Sequence, residues 1–202
     1  CTFEVPQDAQ PGLYNTHLEV VNTETNKVVK RLSLKLRVNN RTLPTAHDQK
    51  FHVDFWQQPY AVSRQAGVER WSQAHIDSLK PYLKLLARSG QKVVSAILFY
   101  EPWGDQSFDK FSPMVQTTKC SNGTWRYDYS VFDRWVEACQ ECGIDKQINC
   151  FSMVPWDMSF RYYDEALQRD VDLKTSTSSQ EYKELWTSFL KNFAAHLKAK
   201  GW

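Results

Sequence analysis

Three short stretches gather the side chains best suited to chemistry. They are "WQQP" at 56 to 59, "YEPWGDQ" at 100 to 106, and "SMVPWD" at 152 to 157. Each joins Trp and Pro to an amide or a carboxylate. A proline that ends a strand explains one such stretch by itself, but three that close three successive strands call for a shared reason. The flat faces of Trp and Tyr suit the apolar C–H faces of a sugar ring, and Gln, Glu and Asp suit its hydroxyls. A pocket that is mostly aromatic with a few directed polar groups is the usual form of a small-ligand site. The candidate binding residues are therefore Trp56, Gln57, Tyr100, Glu101, Trp103, Ser152, Trp156 and Asp157.

No catalytic residue is assigned. Cleavage of a glycosidic bond needs two carboxyl groups several ångströms apart, or one acid helped by the substrate. Glu101, Asp105 and Asp157 stand near the strand ends, with Asp54 earlier, inside its strand. Glu101 is the best placed, and its competing reading is a residue that bonds a neighbour and orients it. The adjacent pair Asp164-Glu165 lies in an insertion rather than at a strand end. The five histidines, at 17, 47, 52, 75 and 196, are scattered, and no Ser-His-Asp or metal-spaced pattern appears. Cys139 and Cys142 have the C-x-x-C spacing, but no second pair accompanies them. They fall on the apolar positions of a helix, which reads as buried structural thiols. Neither a metal nor a cofactor is expected. Asn40-Arg41-Thr42 and Asn122-Gly123-Thr124 match the glycosylation acceptor pattern, a match short enough to arise by chance.

The elements that must position these residues follow from periodicity. Residues 1 to 46 look all-β. Tyr14, Thr16, Leu18 and Val20 share one face, and Leu32, Leu34, Leu36 and Val38 share another, with a polar turn at 22 to 27. This is a β-hairpin with one buried face. Because a lone hairpin is marginal in water, it is expected to be the end of a β-sandwich domain. Residues 41 to 49 read as a linker. From 47 to 202 the rhythm is strand then helix, three times. "FHVDFW" precedes a helix opened by Ser72 and stopped at Gly90, with a possible kink at Pro81. "KVVSAILFYEPW" is a nearly continuous apolar strand, as expected for one covered on both faces. A polar insertion at 104 to 127 leads to a helix with Phe132, Trp135, Val136 and Cys139 on one stripe. "KQINCFSMVPW" is the third strand. A further polar segment leads to a last helix, with Ser178 and Glu181 as a capping box and Leu185, Phe189, Phe193 and Leu197 as its apolar stripe.

Successive strand–helix units imply a parallel sheet, with sites at the carboxyl ends of its strands. A nucleotide-binding sheet should carry a Gly-rich turn. With seven glycines in 202 residues, no such turn is present. The pattern therefore predicts an α/β fold, a partial (β/α)8 barrel of about three units, since closure takes eight strands. A net charge of +2 without a basic stripe argues against nucleic acid. No apolar run reaches the roughly 20 residues that span a bilayer. A chain that opens on Cys1 reads as a fragment or processed product, and the missing remainder of its own chain is a possible partner.

The same stretches carry a likeness to a known family. "HVDFWQQPYAVSR", "VERWSQAHIDSLKPYLKLLARSGQK", "FYEPWGDQ", "MVQTTKCSNGTWRYDYSVFDRWVEACQECGI" and "INCFSMVPWD" resemble the catalytic region of glycoside hydrolase family 123. The resemblance covers about residues 50 to 202, and residues 1 to 46 fit the end of that family's N-terminal β-sandwich. It implies a retaining enzyme acting on β-linked N-acetylgalactosamine-type glycans from a (β/α)8 barrel. In that family an Asp positions the substrate's 2-acetamido group, which attacks the anomeric carbon, and the adjacent Glu is general acid and then base. The resemblance implies that this pair follows "HLKAKGW", so the stretch to Trp202 would be inactive alone. It also implies a secreted, periplasmic or cell-surface protein with a glycan as partner. Two other readings compete: a carbohydrate-binding or interaction module without catalysis, and a redox or metal protein built on Cys139 and Cys142.

Overall fold

The computed structural model describes residues 3–202, so Cys1 lies outside the described residues. The chain divides into two units, Cys1–Thr45 and Ala46–Trp202. In the first, β1 (Gly12–Asn22) pairs antiparallel with β2 (Lys27–Val38), with a register irregularity between Val20 and Val21. Asn22 Oδ1 accepts from the Glu24 and Thr25 amides and fixes the turn. Leu18, Leu34, Leu36 and Val38 are half-buried and every other described residue of the two strands is exposed, so the expected apolar face is only partly covered.

The second unit is mixed α/β. The segment before Trp56 forms a single parallel bridge, Val53 to Gln91, rather than the full strand its alternation predicts. Side-chain amides take the place of ladder bonds there. Gln91 Oε1 accepts from Phe55 N at 2.8 Å, and Gln91 Nε2 donates to Phe55 O at 3.1 Å. An unanticipated helix follows, α1 (Pro59–Ala66). Pro59 occupies its first turn, where a missing N–H costs nothing, and the Gln58 side chain accepts from Tyr60 N. Helix α2 (Gln73–Arg88) begins at Ser72, whose Oγ accepts from His75 N, and it continues through Pro81. Gly90 follows at φ +91°, a backbone conformation that favours glycine.

Strand β3 (Val93–Ile97) is buried throughout, as its apolar run requires. The insertion after it is not irregular. It holds β4 (Gln116–Lys119) and β5 (Trp125–Asp128), joined through Asn122-Gly123. Helix α3 (Ser130–Glu141) leads to β6 (Gln147–Phe151), which pairs parallel with β3 from Val93↔Gln147 to Ile97↔Phe151. The next polar segment is also structured, as the hairpin β7 (Ser159–Asp164) and β8 (Arg169–Lys174). These four insertion strands make one sheet of order β5-β4-β7-β8. Helix α4 (Gln180–Lys200) is capped by Ser179, not Ser178. Ser179 Oγ accepts from Tyr182 N, whereas Ser178 Oγ pairs with Ser176 Oγ.

One face of β3 (Val94, Ala96), continued by Leu98 just after it, packs into a continuous core with Ile76, Leu79, Leu83, Phe132, Trp135, Val136 and Phe189. Phe160 of β7 joins it, so the insertion sheet is anchored to the same core as the helices. Trp135 fills its centre and donates from Nε1 to Ser95 O at 2.9 Å. Cys139 and Cys142 lie in this core as free thiols. Burial pushes the Cys139 thiol well above the ordinary range, which suppresses the thiolate that metal or redox chemistry requires.

Candidate functional site

The carboxyl ends of the Val53 segment, β3 and β6 deliver their Trp residues to one rim. Trp56 lies flat against Trp103, with ring centroids 5.4 Å apart and planes 16° apart. Phe151, the last residue of β6, meets both rings, at 5.0 Å from Trp56 and 5.3 Å from Trp103. Trp156 joins through the backbone, its N–H donating to Pro102 O at 2.9 Å. Its ring lies over Gly104, 3.7 Å from where a Cβ would be. Trp56 and Trp156 remain 61% and 68% exposed, far more than packing alone would leave for so large an apolar side chain.

Beneath this platform sits a small buried cluster of Tyr60, Ile97 and Phe111. The Tyr60 hydroxyl donates to Ser112 O at 2.8 Å, and burial pushes its pKa up to about 12. The loop from 101 to 111 is tied down by Glu101. One carboxylate oxygen accepts from Phe111 N, the other from Asp105 N at 3.2 Å. Glu101 N in turn donates to Phe111 O. Glu101 is thus the orienting residue of the competing reading, closing the loop with both oxygens engaged.

The other expected residues divide in the same way. Gln57 is buried, and its amide is fully used by backbone. Nε2 donates to Phe55 O and to Val93 O, and Oε1 accepts from Ser95 N at 2.8 Å. It extends the ladder beside β3 and holds Trp56 in place. Ser152 is buried too, its Oγ accepting from Phe99 N at 3.0 Å and donating to Phe99 O, which ties the end of β6 to β3. Asp157 Oδ1 accepts from Ser159 N, and its second oxygen has no hydrogen bond among the described residues. Tyr100 is half-buried, and the Arg161 guanidinium lies 4.2 Å above its ring. The structure therefore brings Trp56, Trp103, Trp156, Tyr100 and Asp157 to the surface of the rim, and puts Gln57, Glu101 and Ser152 behind it as supports.

Backbone strain concentrates here. Glu101 (φ +40°), Asp105 (+60°), Ser152 (+108°) and Met158 (+51°) are all non-glycine residues at positive φ. Such residues cost of order 1–3 kcal/mol each and cluster at functional sites. Two depressions open on the rim. One, of about 120 Å³, is lined by Trp56, Gln57, Gln58, Ser95, Trp103 and Phe111, among others. The other, of about 210 Å³, is lined by Tyr100, Glu101, Gly104, Asp105 and Asp157 together with Ser159, Arg161, Asp172 and Lys174. The last four come from the hairpin β7–β8, which the sequence reading left as a polar segment. The usable signal was the two-residue period of "SFRYYD" and "RDVDLK" on either side of a turn. Asp164 and Glu165 belong to that turn. Asp164 Oδ1 accepts from the Ala166 and Leu167 amides, and Glu165 pairs with Arg126 at 2.8 Å.

Comparison with known proteins gives the family of this mixed α/β unit. Residues 56–202 match the profile of the glycoside hydrolase 123 catalytic domain; the chain belongs to glycoside hydrolase family 123. It is similar to a solved family 123 glycoside hydrolase from Clostridium perfringens, a structure described for glycolipid glycan hydrolysis. The TM-score is 0.90 with 31% identity over 98% of this chain, which spans 36% of that one. A search of curated proteins finds no match. Among the described residues no helix is long and apolar enough to cross a membrane.

Proposed function

We propose that this chain carries the glycan-facing first part of the catalytic barrel of a glycoside hydrolase that cleaves β-linked N-acetylgalactosamine-type glycans with retention, the substrate's own 2-acetamido group acting as nucleophile. The Val53 segment, β3 and β6 are the first three strands of a (β/α)8 barrel, lying side by side in chain order. The β1–β2 hairpin is the end of a preceding β-sandwich, with 1–46 and 47–202 as the two domain portions. The catalytic Asp-Glu pair is supplied by the strand that follows α4.

The observation that carries this reading is the convergence of three strand ends on one exposed indole platform, Trp56 on Trp103 with Trp156 beside it. A sugar ring stacks there while polar groups on the rim meet its hydroxyls. Substrate assistance fits the carboxylates present. Glu101 spends both oxygens on backbone amides, Asp105 pairs with Lys110 at 3.1 Å, and Asp157 caps its own turn. None is poised as a nucleophile. The missing steps are those a neighbouring Asp-Glu pair performs: the Asp holds the acetamido group as its oxygen attacks the anomeric carbon, and the Glu protonates the leaving oxygen, then activates water.

The test is an assay of the protein extended past Trp202. It should hydrolyse aryl 2-acetamido-2-deoxy-β-galactosides and leave the analogues without the acetamido group untouched. Equal rates on both contradict substrate assistance. Binding without any cleavage would mark a carbohydrate-binding module instead.

A further inference from the structure

The hairpin β7–β8 sends alternate side chains to opposite faces. Phe160 and Tyr162 point into the core. The opposite face carries two successive cross-strand pairs, Ser159 with Lys174 and Arg161 with Asp172. All four line the 210 Å³ cleft next to the aromatic platform. None of these four belongs to the buried core: Ser159 and Arg161 are half-buried, and Asp172 and Lys174 are exposed.

Arg161 is held in one geometry. Its Nε and Nη2 donate to the two oxygens of Asp172 at 2.9 and 3.2 Å, and its plane covers Tyr100. This fork uses two N–H groups and leaves the other three free to donate. Lys174 makes no ion pair among the described residues and adds free donors. Asp157 contributes an acceptor oxygen, and the Tyr100 and Ser159 hydroxyls can do either. Donors and acceptors thus share one small cleft, the combination that vicinal hydroxyls satisfy. Asp105 is paired with Lys110 and Asp172 with Arg161, which leaves the Glu101 and Asp157 carboxylates against Lys174 in the lining, so an anionic sugar is disfavoured. The volume lies below the roughly 300 Å³ at which drug-sized sites begin, and suits a single ring.

We propose that Ser159, Arg161, Asp172 and Lys174 form a second subsite that takes a neutral, hydroxyl-rich sugar ring adjoining the one on Trp56 and Trp103. The inference rests on the glycan reading above and deepens it, since it makes the insertion sheet the determinant of which extended glycans are accepted.

The experiment compares the protein extended past Trp202 with its Arg161→Ala, Arg161→Lys and Lys174→Ala variants. The probes are an aryl 2-acetamido-2-deoxy-β-galactoside, a neutral oligosaccharide ending in β-linked N-acetylgalactosamine on a hexose, and the sialylated form of that oligosaccharide. Arg161→Ala and Lys174→Ala should each lower kcat/KM on the neutral oligosaccharide at least tenfold more than on the aryl glycoside, with Arg161→Lys intermediate. Equal losses on both substrates overturn the subsite, as does a sialylated glycan preferred over the neutral one. Calorimetric binding of the neutral oligosaccharide against N-acetylgalactosamine gives the same comparison without turnover. A protein that cleaves neither substrate yet loses the oligosaccharide's binding advantage on Arg161→Ala contradicts the hydrolase reading and keeps the subsite. No advantage in the unsubstituted protein removes the subsite.

Discussion

The two sides of the rim are built by opposite means. The aromatic side is held from beneath: Gln57, Glu101 and Ser152 are buried with their polar atoms engaged by backbone, and the Trp56 and Trp103 rings pack on Phe151, with Phe111 against Trp103. The hairpin side is held from above by a solvated ion pair and an Arg–Tyr stack, while its reverse face is anchored by Phe160. One side spends stability to hold large rings in fixed positions. The other presents polar groups at little structural cost, and can change without disturbing the core.

The largest effect should come from Gln57→Ala. It leaves Ser95 N without its acceptor in a buried strand, while Val93 O keeps the Gln91 Nε2 donor; an unmet buried group costs about 1–3 kcal/mol, and the cavity left by a buried side chain adds to it. Denaturant unfolding should register a loss of about 2–4 kcal/mol on that basis, and a change below about 0.5 kcal/mol would mean Gln57 is not a support. Alkali should act next. The Tyr60 pKa is raised in the folded state from 10.0 to about 12. The stabilisation is therefore fully present below pH 10 and is lost as pH rises through 12, because the unfolded chain ionises first. It amounts to about 2–3 kcal/mol, which a Tyr60→Phe variant should largely abolish if the rest of the pH profile is unchanged. Trp56→Ala should cost only about 1 kcal/mol of stability, because the indole is mostly exposed and loses chiefly its stacking. Sugar affinity should fall much further, and a large loss of folding at unchanged affinity would make Trp56 a core residue. Arg161→Ala should be the mildest in stability, within the 0.2–1 kcal/mol of a solvated ion pair, and a greater loss would mean the hairpin depends on it.

The same division marks what the sequence could say. Strand β3 was legible because "VVSAI" is apolar but for Ser95, and the helices because Ile76, Leu79 and Leu83, or Leu185, Phe189 and Phe193, recur at helical spacing. The Val53 segment alternated like a strand, yet it bridges only once, since Gln57 and Gln91 side chains supply bonds that a partner strand would give. No propensity reading detects an amide that imitates backbone. Gln57, Glu101 and Ser152 were found for their position at strand ends, where residues that hold a site and residues that touch a ligand have the same composition. The insertion sheet was missed because Arg161, Asp170 and Asp172 mask a period that Phe160, Tyr162, Val171 and Leu173 carry, and because β4, "QTTK", has no apolar residue at all. Family resemblance, shown by the match over residues 56–202, supplied the identity that periodicity could not.

The most direct test of the shared rim is a crystal structure of the protein extended past Trp202 with an unreactive oligosaccharide ending in N-acetylgalactosamine. The account expects the terminal ring against the Trp56–Trp103 pair and the next ring between Asp157, Arg161 and Lys174. A glycan bound elsewhere, with both indoles untouched, would contradict it.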